Sequence, residues 1–334
     1  MLNATSDART RLTRALVVAA TTAGSAPSIH NTQPWHWRVD GDVLDLYAEP
    51  ARQLPTTDPD GRLMVLSCGA ALHHARVALA ADGYEVDVTL MPSADDQDHL
   101  ATIAVRGPAP VTAAAIRMAR AIGVRHTDRR PLRDEALSAA AMTAVRSAAS
   151  PYGVNVDVLA RDKVIELAAA VDRAQRGLLA DAETRDELTW WTNGRDLDAD
   201  GIPDSVIPDR APLTNVPGRD FGHPGSLPIS EEHDQSATYA ILSGAEDDPQ
   251  AWLNAGQALS AMWLVATEWM IGLLPLSAPI EMLPARQLVR DIIAGIGHPY
   301  MAVRLGLPDT TAAPIVRTAR RPASQTVIVD ESLT

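Results

Sequence analysis

The sequence of 334 residues predicts an α+β fold that is internally duplicated and carries a lid insertion. Three observations predict it. Helical and strand-like periodicities follow one another without strict strand–helix–strand alternation. The pattern Leu-x-x-Gly-x-Ala-Leu occurs twice, as LSCGAAL at Leu66–Leu72 and LNAGQAL at Leu253–Leu259, each time opening a long Ala-rich apolar helix. Between Trp190 and Gln235 the composition turns to Pro and Gly over a stretch too long for an ordinary loop, with Trp190, Trp191, Ile207, Leu213 and Phe221 as apolar anchors. An ordered lid is expected there.

Residues 6–23 read as a helix. The stretch SAPSIHNTQPWHW, Ser25–Trp37, follows as a stiff polar loop bracketed by Pro27 and Pro34. WHWRV and VLDLYAE then alternate around Asp40-Gly41, which signals a hairpin. A helix is expected over 62–81, strands over 84–91 and 100–106, and a helix over 111–122. Beyond Arg133 the alternation resumes: helix 133–149, strand 154–160, helix 162–188, strand 237–243, helices 249–273 and 284–296, and strands 300–306 and 324–330.

The bulk properties narrow the function. With 46% apolar residues the chain can bury a large core, and with one Phe and abundant Ala it must pack closely. A formal charge of −13 and a pI near 5.1 argue against nucleic acid, whose phosphates need a basic surface. Lys163 is the only lysine, so a bound anion would be gripped by guanidinium groups. Cys68 is alone and forms no internal disulfide. Charges at Asp7, Arg9, Arg11 and Arg14 argue against a signal peptide. The apolar run Ala255–Leu276 nears the length of a membrane span, yet Gln257 and Glu268 interrupt it and Pro275 ends it. A buried core helix is the reading, with no membrane partner and a cytoplasmic location expected.

Two arginine clusters stand out in so acidic a chain. VRHTDRRPL, Val124–Leu132, sets Arg125, Thr127 and Arg129 on one side if extended, two guanidiniums and a hydroxyl facing one anion. RTARRP, Arg317–Pro322, adds three more arginines. A bound phosphate accounts for both; solvated charges or ion pairs are the alternative. Other candidates are weaker. DLDADG, Asp196–Gly201, imitates a calcium loop, but Ile207 stands at its twelfth position, so a polar lid turn is expected. His73 and His74 diverge on a helix and lack a third ligand for zinc. No Gly-x-Ser-x-Gly elbow supports a hydrolase, and Lys163 lies outside every motif.

On these residues the chain resembles the FMN-dependent nitroreductase-like family, and within it the single-chain Acg-like subfamily. APSIHNTQPW lies in the first half; RHTDRR, APIEM (Ala278–Met282), RLGLP (Arg304–Pro308) and TARRP lie in the second. The resemblance implies one complete FMN site in a fused pseudo-dimer, with halves at 1–123 and 124–334 and the lid at 190–235. It implies Arg125, His126 and Thr127 at the phosphate and ribityl chain, completed by Arg320 with Arg317 or Arg321. It places Arg129 at the pyrimidine edge, Pro279, Ile280, Glu281 and Met282 at the turn beside N5, and Pro27, Ser28, Ile29 and Asn31 on the opposite side. Gln33 and Trp35 are expected to brace the loop. The implied activity is NAD(P)H-dependent hydride transfer through FMN to a nitro- or quinone-like small-molecule acceptor. The alternative is non-enzymatic FMN storage under the lid, which the long insert and Met282, standing where Gly is usual, favour. Because fusion removes the need to dimerise, a monomer is expected.

Overall fold

The structure is a computed structural model that describes residues 2–192, 199–231, 233–309, 311–312 and 316–330. Its first half runs α1 (Leu2–Ala23), β1 (Trp35–Asp40), β2 (Val43–Ala48), α2 (Arg62–Ala81), β3 (Tyr84–Leu90), β4 (His99–Pro108) and α3 (Ala113–Val124). The second runs α4 (Ala139–Ser147), β5 (Asn155–Val158), α5 (Arg161–Ala180), α6 (Ala182–Thr192), β6 (Thr238–Gly244), α7 (Pro249–Glu268), β7 (Gly272–Leu276), α8 (Ala278–Glu281), α9 (Leu283–Ile292) and β8 (His298–Gly306). A final turn, α10 (Ala323–Thr326), leads into β9 (Val327–Val329).

The strands form two sheets. Their orders are β3-β4-β2-β1-β9 and, read from its matching end, β7-β8-β6-β5. All pairings are antiparallel except β9, which lies parallel to β1. Strand alternation explains the first sheet: Trp35, Trp37 and Val39 of β1 and Leu44 and Leu46 of β2 are buried on one face. The two-residue hairpin loop is Gly41-Asp42, one residue beyond the predicted turn, with Gly41 at φ 63°.

Helices α2 and α7 pack against each other between the sheets. Ideal Cβ atoms at Gly69 and Gly256 would fall 2.0 and 1.8 Å from the carbonyl oxygens of Leu253 and Leu66. Only glycine permits this approach. Both glycines are the central residues of the repeated motif, and the contact is reciprocal. His73 and Ser260, which also occupy equivalent places in the repeat, meet at 2.8 Å. The cores interlock in the same way: Leu66 of α2 joins the second core, around Trp263 and Tyr239, and Leu253 of α7 joins the first, around Trp35 and Trp37.

Several expected boundaries move for identifiable reasons. The helix predicted over 133–149 begins only at Ala139, where Ser138 accepts the Ala141 N–H; Arg133 N–H is already committed to Leu307 O. The helix predicted over 162–188 breaks at Asp181, whose carboxylate accepts from the Thr184 N–H and hydroxyl and starts α6. The apolar run Ala255–Leu276 is a buried helix followed by a strand. Met270, at φ 59°, takes the left-handed position that glycine usually fills at a helix end, and the Ile271 N–H returns to Ala266 O. The strand expected over 324–330 opens as the turn α10 and is extended only in β9.

The segment expected to be a lid packs Ile202, Val206, Ile207 and Phe221 into a small core with Leu188 of α6. Of the aspartates in DLDADG, Asp196 and Asp198 lie outside the described residues.

Candidate functional site

A cavity of about 280 Å³ lies where both halves, the 202–221 segment and the C-terminal segment meet. Ser28 and Arg125 share it, as do Pro27, Ile29, Asn31, His126, Thr127, Arg129, Pro279, Arg317 and Arg320.

The Pro-bracketed loop is rigidly built. Its N–H groups at Ile29 and Gln33 donate to the hydroxyls of Ser67 (3.1 Å) and Ser28 (2.9 Å). His30, Asn31 and Gln33 all hold positive φ, at 45°, 56° and 48°. Such backbone costs about 1–2 kcal/mol per non-glycine residue and persists only when its surroundings over-determine it. The surroundings do. Asn31 Nδ2 donates to Gly201 O at 3.0 Å and Ala319 O at 3.1 Å, tying the loop to the Pro- and Gly-rich segment and to the C-terminal segment. Gln33 donates to Ala199 O at 2.9 Å and accepts from Arg321 N–H at 2.8 Å, and Trp35 is fully buried beneath.

The arginines divide into two groups. Arg125 is 7% exposed, with Nε and Nη1 unpartnered and no carboxylate partner among the described residues. Its guanidinium lies 4.5 Å over the Trp263 ring, and its hydrogen bond, to Ser25 O, is 3.4 Å. Arg320 turns Nη1 onto its own backbone neighbours and leaves Nε unpartnered among the described residues. Burial, then the repulsion of Arg320 and Arg317, pulls the Arg125 guanidinium down to about 9; burial and Arg317 pull Arg320 down to about 10. Both stay cationic at neutral pH. Buried, unmatched cations are costly, so the geometry is that of a site for an anion. His74 is fully buried, with both ring nitrogens unpartnered among the described residues; burial, then Arg125, keeps it neutral.

At the other group, Arg129 Nη1 donates to Val206 O at 3.1 Å and the guanidinium faces Phe221 at 5.3 Å. Burial pulls it down to about 10 against the opposing pull of Asp128. His126 Nδ1 lies 3.0 Å from Val124 O.

Four candidate residues stand outside the lining. Arg321 is an anchor: it pairs with Glu49 at 2.7 Å and donates to Gln33 O, fixing the C-terminal segment to the first half. The helical turn α8 sends Ile280 into the second core. It also sends the Glu281 carboxylate, fully buried, to an ion pair with Arg219 at 2.5 and 2.7 Å. Met282 packs with Ala174, Leu178 and Ala285. Pro279 alone of that turn's predicted set reaches the cavity.

Sequence reasoning missed His30, Ser67, Arg219, Phe221 and Trp263, all of which line the cavity. Ser67 sits inside the repeated motif and Trp263 a turn beyond it. Arg219 and Phe221 come from the Pro- and Gly-rich segment, whose local sequence says nothing about where it docks.

No family model matches the chain. It is 39% identical over 319 residues to "Putative NAD(P)H nitroreductase Rv3131" of Mycobacterium tuberculosis, across 94% of this chain and 91% of that one. It is 34% identical over 303 residues to "Putative NAD(P)H nitroreductase acg" of the same organism, across 90% of this chain and 91% of that one. Among solved structures, the FMN-dependent nitroreductase NfnB from Mycobacterium smegmatis in complex with NADPH aligns over 64% of this chain and 97% of its own, at 18% identity and a TM-score of 0.38.

Proposed function

Given that the chain belongs to the nitroreductase family of acg and Rv3131, we propose that it is an FMN-binding flavoprotein of the internally duplicated kind, passing hydride from NAD(P)H to a nitro- or quinone-like acceptor. The buried, unmatched guanidiniums of Arg125 and Arg320 carry this reading. Two cations on an apolar cavity wall, one stacked on Trp263, fit a phosphate joined to an aromatic ring system. The matching strand orders and the reciprocal Gly69–Gly256 crossing support duplication, with halves at 1–123 and 124–334.

Arg125, Arg317 and Arg320 hold the phosphate. Pro27, Ser28 and Ile29, on the rigid loop, wall one side of the ring, and Asn31 ties that wall to the lid. Bound FMN supplies the chemistry of accepting and donating hydride. Arg129 places a fixed positive charge near the ring, where negative charge gathers on reduction. The lid excludes water, and Arg219 fastens it to the second half through Glu281.

The fastening favours a second reading, storage without turnover. Arg52 pairs with Asp200, and Glu187 accepts from the Thr56 and Thr57 N–H groups at 2.9 and 3.0 Å, so the lid and the α6 helix that leads into it are also tied to the first half. Anaerobic addition of NADPH or NADH to the purified yellow protein separates the readings. Bleaching of the flavin band within seconds supports the reductase, while lasting colour in wild type with bleaching in Arg219→Gln supports storage under a latched lid. A colourless protein that cannot be loaded with FMN sinks both.

A further inference from the structure

His30 is the cavity residue whose placement is most deliberate and least used. It is 7% exposed, lines the cavity, and leaves Nε2 without a partner among the described residues. Its backbone sits at φ 45°, ψ 24°, inside a loop pinned by Ser28, Ser67, Gly201 and Ala319. A buried imidazole nitrogen without a partner costs about 1–3 kcal/mol, and the strained backbone adds to that. Both costs are met if the ring completes a contact with a ligand.

Which part of the ligand follows from its neighbours. Arg129 and Arg219 line the same cavity, and burial followed by their charges holds His30 neutral. Arg219 Nη2 is likewise unpartnered. Around the one cavity, Arg125 meets Ser25 O and Trp263, whereas Arg129 meets Val206 O and Phe221 and Arg219 pairs with Glu281, so the two groups of arginines have different neighbours. An FMN ring has one edge bearing two carbonyls and an N–H, and an opposite edge bearing two methyls. With the phosphate held at the first arginine group, the polar edge matches the second.

We infer that His30 is a hydrogen-bonding contact for the carbonyl and N–H edge of the flavin ring, acting beside Arg129 and Arg219 and independently of the phosphate. This rests on the FMN reading above. A neutral imidazole offers one donor and one acceptor, which suits an edge that alternates the two.

The test compares FMN with riboflavin, which lacks the phosphate, by quenching of flavin fluorescence. His30→Gly deletes the ring at a backbone position glycine adopts freely, and His30→Asn keeps hydrogen bonding in a residue that tolerates positive φ. Far-UV circular dichroism establishes that both fold. His30→Gly is expected to weaken FMN and riboflavin by the same factor, roughly three- to tenfold, and to shift the visible band of bound FMN. His30→Asn should recover most of each. Arg125→Ala should weaken FMN by a larger factor than riboflavin. Equal affinities in wild type and His30→Gly, a loss confined to FMN, or riboflavin that does not bind wild type overturns the inference while the cofactor reading stands. Wild type that binds neither flavin sinks the cofactor reading as well.

Discussion

Arg125 serves two opposed ends. Its buried charge has no carboxylate partner among the described residues, which weakens the fold, and the same charge suits the proposed anion site. The two roles separate in Arg125→Met. FMN affinity is expected to fall about 10–100-fold, since a lost charge-assisted contact costs roughly 1.5–3 kcal/mol. The FMN-free protein should become more stable by about 1–4 kcal/mol, because an apolar side chain replaces an unpaired buried ion. Thermal melts without FMN, beside flavin titrations, check both signs. Because the folded guanidinium titrates near 9, below its unfolded range, its cost is complete below that pH and is relieved only above it.

Asp58 gives the opposite kind of titration. It is 3% exposed and accepts from the Met64 N–H at the start of α2, and burial pushes it up to about 7. The folded state then binds this proton more tightly than the unfolded chain, so stability should fall as pH rises from about 4 to about 7 and level off beyond. Asp58→Asn, which can still accept the Met64 N–H, is expected to remove roughly 2–4 kcal/mol of that slope. Urea unfolding at several pH values reads it. At this scale, legibility followed local sequence. Arg125 and Arg129 were visible because they cluster along the chain. Arg219 and His30 were not, because what distinguishes them is burial beside residues remote in sequence.

The crossing of α2 and α7 is the element on which the two sheets depend. Gly69→Ala would set its Cβ 2.0 Å from Leu253 O, against backbone that cannot yield without moving a helix. A loss of about 3 kcal/mol or more is expected in urea unfolding. Gly123→Ala, with open space around its Cβ, should instead gain up to about 1 kcal/mol from helix propensity. The repeated Gly-containing motif revealed both helices, though not that its glycines meet. Helix α2 was legible to the residue, because a Gly opens it and an Asp-Gly pair closes it. The end of α7 was not, since Met270 fills a place where the usual signal is Gly, and the apolar run continues straight into β7. Asp181 looked like an ordinary helical residue and acts as a cap.

On the scale of the molecule, the cavity is closed by pieces of both halves, and each central helix contributes to the other's core. Unfolding is therefore expected to be one transition. FMN at 100 times its dissociation constant should stabilise that transition by about 2.7 kcal/mol, measured as a calorimetric shift against the flavin-free protein. Two separated transitions, with only one moved by FMN, would show the halves to be energetically independent. The α+β character was foreseeable from the mixed helical and strand periodicities. The docking of the Pro- and Gly-rich segment was not, because contacts such as the Arg219–Glu281 ion pair join segments with no shared pattern.

The parallel pairing of β9 on β1 also sets a timetable for biosynthesis. While a ribosome makes everything between those strands, the rim of β1 that faces away from β2 has no neighbour, and a bare rim invites association with other nascent chains. The first sheet can be finished only after translation has passed Val329. Chaperone demand should therefore be greatest late in synthesis, and vanish when that short strand zips into place.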